Sequence, residues 1–265
     1  MMNSLIIGKY VPRKSLIHQM DPRAKLLIVF LFVLIVFLAN NTMTYSLLGL
    51  YILIIVLLTK LPIRYLFNGL KPVLWILFFT FLMHVILTKE GPIIFQFGFV
   101  KVYEDGVRQG VLITLRFIFI IIMTTILTLT TTPIEITDGM ETLLSPLKKW
   151  KLPVHELALM MSISLRFIPT LMEESDKILK AQMARGVDFS AGSLKKRLEA
   201  IVPLLVPLFI NSFKRAEELA TAMEARGYRG SEGRTKLRKL HWRLRDTIMI
   251  LCFAILFGAL LLLRS

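Results

Sequence analysis

The sequence has little of what enzymes, metalloproteins and disulfide-bonded proteins depend on. It contains one cysteine in 265 residues, Cys252, which lies inside a hydrophobic run. A single cysteine excludes an internal disulfide framework and a cysteine metal site. Four histidines are scattered without metal-ligand spacing: His18, His84, His155 and His241. We therefore expect neither a catalytic set nor a metal site in this chain.

A nucleotide-binding loop is also lacking. The stretch GYRGSEGRTK at 227–236 resembles a phosphate-binding loop, but five residues separate its outer glycines where a P-loop has four. Arg234-Thr235 follows in place of Lys-Ser/Thr, and no strand pattern precedes it. If ATP powers this protein, another subunit hydrolyses it, so we expect this chain to carry no cofactor of its own.

Acidic residues are few beside the basic ones. The chain has 18 Asp and Glu against 33 Lys and Arg, a net charge of +15, yet it is 55% hydrophobic with a mean hydropathy of +0.66. Apolar composition with positive charge indicates an integral membrane protein with one basic side. This argues against nucleic acid as the partner of the basic residues. The N-terminus lacks the pattern of a cleavable signal peptide.

Five apolar runs are candidate transmembrane helices. They are Leu26–Ala39, Tyr45–Thr59, Pro72–Thr88, Val107–Thr131 and Thr247–Leu263. The sequence thus predicts an all-α integral membrane protein in three segments. These are an N-terminal arm with four spans at 1–131, a long basic region at 132–246 and a final span at 247–265.

Loop charge predicts the orientation in the cell membrane. The arm before the first span and the loop before the third are basic, and the stretch 134–246 holds 20 of the 33 basic residues. The other loops have no basic residues or balance them with acidic ones. The positive-inside rule therefore places the N-terminus and the long basic region at 132–246 in the cytoplasm.

The long basic region shows apolar residues at helical spacing twice, over 156–186 and over 198–227. We expect two long amphipathic helices at the membrane surface, joined by a turn at 187–193. Pro169 should kink the first, and Pro203 and Pro207 the second. An alternative with six or seven spans would place parts of this region in the membrane.

Both predicted helices end at the same tripeptide, Ala184-Arg185-Gly186 and Ala225-Arg226-Gly227. The structural interpretation is a helix stop, because glycine adopts the left-handed conformation after a helix and a cation suits its C-terminal end. The functional interpretation is a pair of prongs, because arginine at a helix tip can pair bidentately with carboxylates. The repetition favours two similar sockets on partner subunits.

Apart from Arg108, at the very start of the fourth predicted span, Arg116 is the one charge inside a predicted span. It either marks a pathway or partner contact, as buried charges in lipid often do, or it reaches towards the outer interface. The sequence does not decide between them.

At these motifs the chain resembles the transmembrane T component of energy-coupling factor transporters, which are relatives of ABC importers for vitamins and metal ions. The resemblance rests on the two Ala-Arg-Gly motifs and on HQMDPRAKL at 18–26, which is similar to the family's lead into the first span. It covers nearly the whole chain. Asp21-Pro22 would by itself be a turn or a helix start.

The resemblance implies that the cytoplasmic region at 132–246 is a coupling region, and it implies partners and site residues. Two ABC ATPase subunits would bind ATP and Mg, and each would receive one Ala-Arg-Gly tip. A small membrane protein, the substrate-binding S component, would dock on the apolar stripes of the two helices. Its docking residues would be Met160, Met161, Leu165, Ile168, Met172, Leu205 and Phe209. Pro169, Pro203 and Pro207 are candidate hinges.

Two other functions compete with this one. A secondary transporter should have paired polar residues in mid-membrane, and none accompanies Arg116. A membrane-anchored scaffold on anionic lipid explains the charge and the stripes, but not the repeated helix tips.

Overall fold

The computed structural model describes residues 10–264 except 98–99, 188, 190–192, 229 and 231–239. The predicted turn at 187–193 and the loop-like stretch at 227–236 therefore lie largely outside the described residues. The chain forms two compact units, one of Met1–Leu143 with Leu240–Ser265 and the other of Leu144–Lys239. The predicted segment boundaries after 131 and 246 stay predictions.

The first unit is helical apart from one hairpin. Its helices are α1 Pro22–Ile35, extended by a 3-10 turn Val36–Leu38, then α2 Thr42–Thr59, α3 Ile63–Leu70, α4 Leu74–Leu87, α5 Glu104–Thr130, α6 Pro133–Leu144 and α9 Leu244–Leu263. The hairpin pairs β1 Ile93–Phe97 antiparallel with β2 Val100–Tyr103. The second unit holds a 3-10 turn Ser145–Trp150, α7 Val154–Ala184 and α8 Leu194–Ala225.

Local sequence explains several helix starts. Asp21 is the N-cap of α1, accepts from the Arg23 N–H at 2.9 Å and precedes a proline at the first helical position. Helix α6 begins with a capping box, in which Thr132 and Glu135 exchange hydrogen bonds between side chain and backbone N–H.

The core of the first unit lies between α1, α2, α5 and α9. Phe32, Leu48 and Leu260 are fully buried there, and the Tyr51 ring lies 6.2 Å from Phe32 and 6.1 Å from Phe253. Outward residues of the same helices are apolar and exposed, as expected for helices in lipid.

The fold confirms the prediction of an all-α membrane protein with about five spans. Among the described residues, α2, α5, α7 and α9 are long and apolar enough to cross a membrane, and α3 with α4, bent by 60°, would make a fifth span. The membership differs from the five predicted runs. Helix α1, with 14 residues, is too short to be counted. Helix α7 is long and apolar enough to cross a membrane, although the sequence analysis places it in the cytoplasmic region.

Three features of the described chain were not predicted from the sequence: α3, the β-hairpin and α6. The loop after the second predicted span contains α3, and the loop after the third contains the β-hairpin. Helix α3 is only eight residues long, which is too short for its periodicity to stand out.

In the second unit, α7 and α8 are each continuous and contain the three prolines. Pro169 lies within α7, and Pro203 and Pro207 lie within α8. The predicted helices therefore exist, and each begins two to four residues earlier than its apolar periodicity indicates.

Candidate functional site

Helix α7 ends in a Schellman motif built on the first Ala-Arg-Gly. The N–H of Val187 donates to the Gln182 carbonyl at 3.0 Å. The N–H of Gly186 donates to the Met183 carbonyl at 3.0 Å. Gly186 has a φ of +87°, the left-handed conformation that this motif requires after a helix.

Helix α8 ends in the same way on the second Ala-Arg-Gly. The N–H of Tyr228 donates to the Met223 carbonyl at 3.0 Å, and the N–H of Gly227 donates to the Glu224 carbonyl at 2.9 Å. Gly227 has a φ of +74°. The helix-stop interpretation is thus an accurate description of both motifs, and the two ends share one local geometry.

The arginines of both motifs lie at open ends. Arg185 and Arg226 are the C-cap residues, and both are exposed, as are Ala184 and Ala225. A Cβ built on Gly186 or Gly227 would have no neighbouring atom within 4 Å. Each tip therefore presents a guanidinium with small residues around it, a form that can enter a groove.

The two helices of the second unit pack antiparallel. Gln182 near the end of α7 donates to the carbonyl of Pro203 early in α8, at 3.3 Å. Earlier in α7, Glu174 accepts from Asn211 at 2.6 Å. Helix α8 continues from Pro203 to Ala225, roughly 33 Å at 1.5 Å per residue. The two arginine tips therefore lie at opposite ends of the pair.

A polar bridge holds the middle of this pair. The Arg215 guanidinium lies 3.6 Å from a Glu174 oxygen and 5.8 Å from the centre of the Phe167 ring. Beside this bridge the helices leave a mostly apolar cavity of about 330 Å³. Sequence periodicity missed Glu174, Asn211 and Arg215 as a group, although opposite charges on two facing amphipathic helices were a signal.

One bond in the pair depends on a proline. A proline has no N–H, so Pro207 leaves the carbonyl four residues earlier without its helical donor. That carbonyl belongs to Pro203, and it accepts instead from the buried side chain of Gln182. The candidate hinge in α8 is thus tied to the end of α7.

The predicted docking residues lie mostly on the surface. Leu165 is half-buried, whereas the others are exposed: Met160, Met161, Ile168, Met172, Leu205 and Phe209. Met160 is 55% exposed and Phe209 61% exposed. Apolar residues at this density on two neighbouring helices form a surface that lipid or a partner can cover.

The DPRAKL lead forms a second cluster, in the first unit. Arg23 holds the Asp21 carboxylate bidentately, at 3.0 and 2.9 Å, and its guanidinium lies 5.8 Å from the Trp242 ring centre. Burial acts to raise the pKa of the Asp21 carboxyl, but hydrogen bonds from Arg23 and its charge outweigh this and hold that pKa below its usual value.

Asp246 completes this cluster from the start of α9. It is 1% exposed and accepts from the backbone N–H of Asp21 and from that of Arg243, both at 2.8 Å. No sequence pattern indicates this role, because Asp21 and Asp246 are 225 positions apart.

Lys25 joins the end of α5 to the same cluster. Its buried ammonium donates to the Thr130 carbonyl at 2.9 Å and to the Thr131 hydroxyl at 3.2 Å. The lead into α1 thus fastens three parts of the first unit together, and its described contacts are structural.

Arg116 contacts the end of the first helix. Its guanidinium donates to the Ala39 carbonyl at 3.2 Å and lies 5.2 Å from the centre of the Phe37 ring. Because Ala39 follows the 3-10 turn that ends α1, Arg116 satisfies a helix-end carbonyl. This contact gives the residue a structural role that neither interpretation had named.

Chemistry is sparse in the described part of the chain. Among these residues, no three His, Cys, Asp or Glu side chains are grouped so that they could hold a metal ion. The features that stand out are therefore the two arginine tips, the apolar surface between them and the cluster around Asp246.

Comparisons with known proteins agree with this picture. The model of the CbiQ family, cobalt transport protein, matches residues 13–237. A Bacillus subtilis (strain 168) protein, energy-coupling factor transporter transmembrane protein EcfT, is 67% identical over the full length of both chains. The EcfT proteins of Macrococcus caseolyticus and Listeria innocua are 55% and 53% identical, over 95% and 100% of both chains.

Proposed function

We propose that this chain couples the motion of ATPase subunits to substrate uptake. The premise is its family: the chain belongs to the CbiQ family and, within it, to the EcfT transmembrane proteins of energy-coupling factor transporters. It would carry out this coupling without chemistry of its own. ATP and Mg would be bound by two ABC ATPase subunits, and the substrate, a vitamin or a metal ion, by a separate S component.

The observation that carries the proposal is the pair of matching helix ends. Arg185 and Arg226 are exposed C-cap residues in two Schellman motifs at opposite ends of an antiparallel pair. Two helix ends of the same geometry suit two similar binding sites. Acidic grooves on the two ATPase subunits would supply these sites. A guanidinium can hold a carboxylate bidentately, so each joint would resist both pulling and turning.

The exposed apolar surface supports the S component as the second partner. Met160, Met161, Met172 and Phe209 present flexible or broad side chains outside any described core. Methionine adapts to differently shaped partners, so such a surface suits an exchangeable subunit.

The motion would pass through the paired helices. Closure of the ATPase dimer on ATP would move both tips, and hydrolysis would reset them. Pro169, Pro203 and Pro207 are the hinge candidates, and the N-terminus and the coupling region would lie in the cytoplasm. If these prolines serve as hinges, replacing all three with alanine lowers transport while the ATPases stay bound; unchanged transport would remove the hinge role.

The first experiment is co-purification of the ATPases with charge-reversed tips. Arg185→Glu and Arg226→Glu are made singly and together in membranes containing all partners. Each reversal should weaken assembly by about 2–5 kcal/mol if the contact is desolvated, and the double variant should lose both ATPases.

The matched control reverses exposed cations along the helices, away from their tips. Lys177→Glu in α7 and Lys214→Glu in α8 make the same charge change and should retain the ATPases. Full ATPase binding and transport by the tip double variant would reduce Ala-Arg-Gly to a helix stop.

A further inference from the structure

Helix α3 lies in a strongly basic part of the first unit. The sequence has no Asp or Glu between positions 22 and 89, whereas Lys60, Arg64 and Lys71 flank or belong to α3 and are exposed. The Arg13 guanidinium donates to the Lys60 carbonyl at 2.7 Å, which adds a fourth exposed cation. We call these four residues the basic ledge.

The inward face of α3 fixes its orientation in the unit. Leu66 is buried in the core, and a Cβ on Gly69 would lie 2.8 Å from the Thr125 hydroxyl oxygen. Arg64 and Lys71 are seven residues apart, so they share a face that points away from this contact.

Apolar side chains lie beside these cations. Ile63 and Phe67, four residues apart on α3, are 65% and 63% exposed. A helix with one packed face, one apolar flank and one basic face is the pattern of a helix lying in a membrane interface.

The direction of α3 agrees with that position. It is bent by 60° from α4, so within the broken span that the two helices make together α3 does not follow the axis of α4. Trp75, in the first turn of α4, is 77% exposed, and Tyr65 on α3 is exposed as well. Tryptophan and tyrosine are enriched at the level of lipid headgroups, which places α3 and the start of α4 at that depth.

Lys60 holds an unusual backbone conformation at this level. It is the C-cap of α2 with a φ of 53°, a left-handed conformation that glycine or asparagine adopts more easily. The lysine side chain is thus kept at a site that disfavours it, and there it adds a charge to the basic ledge.

We propose that the basic ledge binds the headgroups of anionic phospholipids, with Ile63 and Phe67 inserted among the acyl chains beside them. The cations match the phosphate charge, and the apolar flank is what a lipid can use and a free phosphate ion cannot. This inference rests on the membrane fold and not on the proposed coupling function.

The test measures lipid binding next to Trp75. The full chain with Trp150→Phe and Trp242→Phe is reconstituted in vesicles, and Trp75 fluorescence is quenched by brominated phosphatidylglycerol or brominated phosphatidylcholine at equal fractions. We expect phosphatidylglycerol to be favoured about fivefold or more, the factor for one basic residue at an anionic surface. Equal quenching by the two lipids would overturn the proposal.

Two sets of substitutions test whether the preference for phosphatidylglycerol comes from the basic ledge. Lys60→Asn, Arg64→Gln and Lys71→Gln together should bring the lipid preference close to one. Lys148→Gln, Lys149→Gln and Lys151→Asn remove three exposed cations elsewhere, including one with a φ of 61° like that of Lys60, and should leave it unchanged. A preference that survives the first set counts against the ledge.

Two further arms complete the test. Lys60→Asn alone suits the left-handed backbone, so it should fold and lower the preference in part even if the triple variant is unstable; an unchanged preference would contradict the proposal. Inorganic phosphate should relieve quenching no more than chloride at matched ionic strength. A stronger effect of phosphate would make the ledge a site for the free ion and overturn lipid binding.

Discussion

The two compact units of this chain differ in how they bury their side chains. The first packs large residues such as Phe32, Leu48 and Leu260 into a closed core and fastens it with buried polar groups. In the second, the only buried residues in its described part are Val154, His155, Ala158 and Gln182. The first unit carries its own stability, whereas the second leaves its apolar stripes for something else to cover.

The largest expected effect removes the buried acid of the first unit. Asp246→Ala leaves the N–H groups of Asp21 and Arg243 without acceptors, so we expect a loss of about 3 kcal/mol. The midpoint of thermal unfolding of the purified chain measures it. Glu173→Ala in α7 removes an exposed acid as the control, and equal losses from both would erase the contrast between the units.

The next effect concerns the helix tips of the second unit. Gly186→Ala and Gly227→Ala force a Cβ into the left-handed conformation, which costs roughly 1–2 kcal/mol. Faster hydrogen exchange in the last turns of α7 and α8 would report it. Gly258→Ala also meets open space but lies within α9 and not at its end, so it should not destabilise that helix. A loss of protection there would show that the effect is not specific to the tips.

A smaller effect tests the bond between Gln182 and Pro203. Gln182→Leu removes the donor and should cost about 1 kcal/mol, measured by hydrogen exchange in α7 and α8. Pro207→Ala returns a helical N–H to the same carbonyl. In the Pro207→Ala background, Gln182→Leu should therefore destabilise the helix pair by less than about 1 kcal/mol. If the effects of the two substitutions on stability simply add, the Gln182 bond does not depend on Pro207.

The smallest effect belongs to the bridge between Glu174 and Arg215. The two groups are 3.6 Å apart and partly exposed, so a double-mutant cycle with Glu174→Gln and Arg215→Met should give a coupling below about 1 kcal/mol that weakens with salt. A larger, salt-independent coupling energy would show that this ion pair contributes more to the stability of the second unit than its partial burial indicates.

The helices and helix ends that could be predicted from the sequence are those that depend on residues close together in the chain. The N-cap at Asp21 and the glycines after α7 and α8 follow from local backbone preferences, and apolar periodicity gives the long helices. The positions of both arginine tips were predictable for the same reason. That the two arginines bind ATPase subunits stays a prediction, and so does the role of the docking residues.

The contacts that the sequence could not reveal join distant positions. Asp246 meets Asp21 across the length of the chain, Gln182 meets a carbonyl that a proline has freed, and Arg116 meets the end of α1. None of these has a periodic or motif signature. The hairpin at 93–103 was missed because only the charge balance of that loop entered the prediction.

The end of α1 that Arg116 holds has a consequence for the surrounding bilayer. Helix α1 and its 3-10 turn cover Pro22–Leu38, roughly 25 Å, with Phe30, Leu34 and Phe37 exposed along one side. A hydrocarbon layer of about 30 Å is thicker than this, so if α1 crosses the membrane, as its apolar run predicts, the bilayer beside it has to thin. Reconstituted protein should then be most stable in phosphatidylcholines of shorter acyl chains. A stability maximum in thick bilayers would show that another apolar surface of the protein, and not α1, determines the bilayer thickness that it prefers.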